Sequence, residues 1–87
     1  MAGRHRKTYD AIFADPVRAN INWNDAVAMV EALGGSVVPG GGSMSSFELN
    51  GVSVTIHRPH PGGELSKPRV RPFRRLLTQA GVHRDDL

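Results

Sequence analysis

The sequence predicts an α+β domain with helices packed on one face of a three-stranded antiparallel sheet, in the order helix, helix, strand, strand, strand, helix. Three observations carry this prediction. Asn50-Gly51 separates two segments of alternating apolar and polar residues, and such a pair favours a two-residue hairpin turn with positive φ at both positions. Apolar residues recur at helical spacing on both sides of that hairpin. The chain has 87 residues and no cysteine, so one small core must supply its stability without a disulfide framework. Hydrophobic residues make up 39% and charged residues 22%, which places the chain among folded domains rather than disordered tails. A two-domain enzyme, a cysteine nucleophile and a thiolate metal cage are excluded.

Each element has a local reason. A short first helix is expected from Arg6 to Phe13, with Tyr9, Ile12 and Phe13 at helical spacing and Pro16 closing the segment. A second helix opens at Asn22, a good N-cap, with Asp25 complementing the dipole in the first turn and Gly34 as terminator. Trp23, Ala26, Val27, Val30 and Leu33 give it one apolar face. A short strand over Ser36 to Val38 stops at Pro39, and Gly40-Gly41-Gly42 makes a flexible connection. The hairpin strands are Ser45 to Leu49 and Val52 to His57, with Phe47, Leu49, Val52, Val54 and Ile56 on the core side. A proline-rich loop leads to the last helix, whose stripe is Val70, Phe73, Leu76, Leu77 and Ala80 and whose stop is Gly81. Placing Pro72 in the first turn sets its start near Arg69, with Arg71, Arg74 and Arg75 facing solvent. Residues 1–20 read as a basic segment with a short helix, and residues 21–87 as the domain proper.

Charge is unevenly placed. The total is +3, yet residues 1–7 carry +3, residues 8–56 carry −4, residues 57–75 carry +5 and residues 76–87 carry −1. Arg58, Lys67, Arg69, Arg71, Arg74 and Arg75 form the strongest functional signal, a surface for nucleic acid or another acidic partner. Lys67 stands out because a flexible ammonium before the helix could reach a phosphate. No apolar run approaches the roughly 20 residues that cross a bilayer. The expectation is a cytoplasmic protein with no membrane partner.

The series Trp23-Asn24-Asp25, Ala32-Leu33-Gly34, Gly42-Ser43, Leu49-Asn50-Gly51, His57-Arg58-Pro59-His60-Pro61 with Glu64-Leu65, and Gln79-Ala80-Gly81-Val82 resembles the HicA family of toxin-antitoxin proteins. The resemblance rests on the order of these motifs over residues 20–83. It implies a double-stranded-RNA-binding-domain-like fold, an mRNA-cleaving endoribonuclease activity without a cofactor or metal, and restraint by a HicB-like antitoxin. The first helix resembles the extension of longer family members. In the family the catalytic histidine directly follows a Gly-Ser or Gly-Gly pair at the start of the second strand. Here Met44 follows Gly42-Ser43, and a thioether exchanges no proton at neutral pH. The chain therefore cleaves RNA with other groups, or is a non-catalytic RNA-binding or antitoxin-binding module, or is an altered form of an active parent.

His57 and His60 are the histidines in the body of the domain, and imidazole suits both proton transfers of a metal-independent ribonuclease. His60 also matches a second histidine that recurs in the family after the third strand. The competing reading is that both brace the proline-rich loop. As a metal pair they lack cysteine or carboxylate companions at useful spacing. Trp23 reads as a core anchor rather than a stacking platform, and the triple glycine lacks the Lys-Ser or Lys-Thr of a P-loop.

Overall fold

The computed structural model describes residues 2–59 and 63–87. Its elements are α1 (Ala2–Ile12), β1 (Ile21–Asn22), α2 (Trp23–Ala32), β2 (Ser36–Pro39), β3 (Met44–Leu49), β4 (Val52–His57), β5 (Glu64–Leu65) and α3 (Lys67–Gln79), followed by a 3-10 turn at Arg84–Asp86. The main sheet has the order β2-β3-β4 and is antiparallel throughout. With the helices packed against it, this is the α+β fold expected, consistent with the double-stranded-RNA-binding-like fold of the HicA resemblance. A second, two-stranded ladder pairs β1 with β5, setting Ile21 opposite Leu65 and Asn22 opposite Glu64.

Asn22 caps α2 as its residue type foretells, its side-chain Oδ1 accepting from the Asp25 backbone N–H at 3.1 Å. Ala26, Met29 and Val30 of α2 meet Phe47, Leu49, Val54 and Ile56 from the sheet and Val70, Phe73, Leu76 and Leu77 from α3. At the centre, Phe47 and Phe73 meet edge to face with centroids 4.9 Å apart, and Trp23 lies 5.3 Å from Phe47 and 6.1 Å from Phe73. Tilted contacts of this kind each add about 1 kcal/mol beyond burial, so Trp23 is an anchor of this core. Gly35 lets the strand after α2 close in, because a Cβ there would lie 2.6 Å from the Glu48 carbonyl oxygen and 2.8 Å from Val30 Cγ1.

Several boundaries differ from expectation. The first helix begins at Ala2 rather than Arg6, because its polar first turns are held by tertiary bonds rather than by apolar periodicity. Arg4 pairs with Asp25 at 3.0 Å, Arg6 Nε donates to the Leu87 carbonyl at 2.8 Å and Arg84 pairs with Asp10 at 2.9 Å. The Asp10 bond and charge hold the Arg84 guanidinium above its ordinary pKa. Ile12 of this helix is fully buried in the common core. Next, α3 starts at Lys67 rather than near Arg69, so Pro68 occupies the first turn and Pro72 lies inside the helix. The bond that Pro72 forfeits would have reached the Pro68 carbonyl, on an exposed turn where water can serve it. Finally, Pro39 belongs to β2, an edge strand where a missing donor is tolerated, and Met44 is already in β3.

Candidate nucleic-acid interface

The hairpin sets the geometry. Asn50 and Gly51 have φ of 50° and 80°, the paired positive values of a type I′ turn. Register runs from Leu49 opposite Val52 to Met44 opposite His57. Beyond it, the Arg58 N–H donates to the Ser43 carbonyl at 2.6 Å, making 43/58 a hydrogen-bonded pair. Antiparallel pairs alternate, so 44/57, 46/55 and 48/53 are non-hydrogen-bonded pairs, the type whose side chains approach most closely. These are also the pairs of the outer face, since Ser45, Phe47, Leu49, Val54 and Ile56 are buried beneath the helices. Met44 and His57 are thus direct neighbours on the open face, with His57 exposed and Met44 half-buried.

The last helix brings its basic residues to the same end. Asn50 Nδ2 donates to the Ala80 carbonyl at 3.0 Å, tying the hairpin tip to the C-terminus of α3. α3 therefore runs antiparallel to β4. Thirteen helical residues and six extended ones both span about 20 Å. Lys67 consequently lies at the level of His57. Lys67, Arg71 and Arg75 follow one another at four-residue steps, all exposed, along the side of α3 away from Val70, Phe73, Leu76 and Leu77. Arg58 is exposed at the end of β4, and Arg69 is half-buried. Ser66 makes no side-chain cap to α3.

Arg74 does not face solvent as the sequence suggests. Its Nε donates to the Ile12 carbonyl and its Nη2 to the Ala14 carbonyl, both at 2.6 Å, and it is half-buried. Cation and orphan carbonyls meet at the C-terminus of α1, where the helix dipole favours positive charge. Arg74 is a pin between two helices. His60 lies outside the described residues. Among the described residues no group of three or more His, Cys, Asp or Glu side chains converges, and no helix is long and apolar enough to cross a membrane.

The signal for the pairing of Met44 with His57 lies in the turn. Counting back from a two-residue turn at Asn50-Gly51 places 44 opposite 57.

A three-stranded antiparallel sheet with helices on one face and a basic final helix is the double-stranded-RNA-binding-like architecture that the HicA resemblance implies. The family model for the HicA toxin of bacterial toxin-antitoxin systems matches residues 23–82, and the chain belongs to that family. No curated protein and no solved structure matches it. Membership makes the chain the toxin component of a toxin-antitoxin system and implies an antitoxin as partner.

Proposed function

We propose that this toxin binds mRNA in the cytoplasm and cleaves it as a metal-independent endoribonuclease, with His57 supplying the imidazole that Met44 lacks. The observation behind the reading is the 44/57 pair: an exposed imidazole stands one strand away from the position where the family carries its histidine, at the closest kind of cross-strand spacing. His57 takes the proton of a ribose 2′-OH, and that oxygen attacks the adjacent phosphorus. The bond to the 5′-oxygen breaks, and the leaving oxygen is protonated by water or by His60. The products are a 2′,3′-cyclic phosphate and a 5′-hydroxyl, with no cofactor consumed. RNA that rounds the end of the sheet from His57 meets Arg58 and Lys67 on its helix side, and Arg71 and Arg75 track the backbone further along α3. Arg69 contributes charge from a half-buried position. A HicB-like antitoxin would silence the toxin by covering the His57 end of the sheet.

A second reading, a non-catalytic RNA-binding or antitoxin-binding module, is favoured by the thioether at 44. Incubating the protein with a labelled oligoribonucleotide in excess chelator separates the two. Under the first reading the RNA is cut, and His57→Ala lowers the rate by about 10²–10⁴, the usual worth of general acid–base catalysis. Under the second the RNA is bound but intact, and Met44→His confers cleavage. Lys67→Ala leaving both binding and toxicity unchanged would remove Lys67 from the site.

A further inference from the structure

A second basic surface lies away from α3. The open side of α1 and the segment around β1 enclose a groove of about 840 Å³, large enough for a short run of nucleotides. Its ionisable lining is Arg4, Lys7 and Arg18 against Asp10 and Asp25. Both carboxylates are already neutralised: Asp25 by Arg4, and Asp10 by Arg84, which reaches it from outside the groove. Lys7 and Arg18 are exposed and have no partner among the described residues. The groove thus presents two uncompensated cations. Asn20 lies exposed between them and the β1–β5 ladder, and Asn22 spends its Oδ1 on the α2 cap, leaving its amide N–H₂ free of that bond.

The β1–β5 ladder links the groove to the start of α3. β1 pairs with β5 so that Ile21 faces Leu65; Asn20, which lines the groove, directly precedes that pair, and Ser66 and Lys67 directly follow it.

We infer that the groove between α1 and β1 holds the phosphodiester backbone of the single-stranded RNA that flanks the segment on α3, with Lys7 and Arg18 as its phosphate contacts. The inference rests on the RNA-binding reading above. It gives α1 a direct share in substrate binding in addition to its packing.

The test is fluorescence anisotropy with a labelled single-stranded 2′-O-methyl oligoribonucleotide long enough to span both surfaces, which lacks the attacking hydroxyl and stays intact. Each phosphate contact on a single strand contributes about 0.7 to the slope of log affinity against log salt, so Lys7→Ala/Arg18→Ala lowers it by about 1.4. At about 0.15 M salt that difference weakens binding about tenfold. The loss adds to that of Lys67→Ala/Arg71→Ala/Arg75→Ala when the two sets are combined. Unchanged affinity and slope in the groove variant, with loss in the α3 variant, overturns the inference and leaves the RNA reading standing. A groove variant that keeps its RNA affinity but no longer holds a co-expressed antitoxin overturns it too, assigning the groove to the protein partner. If the wild-type chain binds no RNA at low salt, the RNA reading fails and the inference falls with it.

Discussion

Replacing Arg74 by methionine keeps most of the apolar stem of the side chain and removes both bonds to the end of α1. Hydrogen bonds from a charged donor are worth about 1.5–3 kcal/mol each, and the dipole at a helix C-terminus adds about 0.3–1 kcal/mol. Arg74 is half-buried, so water partly replaces what is lost, and the net cost comes to about 2–3 kcal/mol. A domain of 87 residues holds about 4–13 kcal/mol in all. The loss is therefore a large share of it, and Tm falls by about 10–20 °C. Thermal unfolding followed by circular dichroism gives the shift, with Arg75→Met as the exposed control and Arg74→Lys, which keeps charge but not the fork of donors, falling between. RNA affinity measured below the transition should drop no more than loss of one distant charge requires. If Arg74→Met melts like the Arg75→Met control while losing as much RNA affinity, Arg74 belongs to the phosphate surface and its role as a pin is refuted.

Two further outcomes follow from the hairpin and its neighbours. Asn50→Gly keeps the positive φ and loses only the bond to Ala80, costing about 0.5–1.5 kcal/mol in chemical denaturation, whereas Asn50→Ala adds about 1 kcal/mol of backbone strain; an Asn50→Gly variant as stable as the wild type would remove the Asn50–Ala80 bond from the account, and equal stabilities for the two variants would remove the strain. Gly35→Ala drives a Cβ into the Glu48 carbonyl and Val30 and costs about 1–3 kcal/mol by the same measurement. At Gly34 the space is open but φ is +90°, so alanine there meets strain alone.

What the sequence made legible was whatever depends on near neighbours. Asn50-Gly51 gave the turn and its flanking alternation gave the faces; Asn22 gave the start of α2; Val70, Phe73, Leu76 and Leu77 gave the buried side of α3. The polar opening of α1 carries no period of its own, since Arg4, Arg6 and Asp10 find partners far along the chain. Two-residue strands such as β1 and β5 are too short to alternate. Arg74 looked like its exposed neighbours Arg71 and Arg75, because the carbonyls that claim it are about 60 residues away. At the candidate site, the basic character of α3 was readable from composition. Its alignment with His57 needed the Asn50–Ala80 bond, which no local pattern announces.

The outer position of Met44 separates two demands that a small domain usually has to reconcile. Its neighbours on β3, Ser45 and Phe47, are 2% and 0% exposed and answer to the core, while half-buried Met44 points to the other side of the sheet. Exchanges at such sites generally alter stability by no more than about 0.5 kcal/mol. Imidazole and thioether are thus nearly interchangeable to the fold and wholly unlike to a ribose hydroxyl. On the proposed reading, the domain retains the structural marks of its family while exchange at position 44 alone changes its chemistry, at little cost to folding.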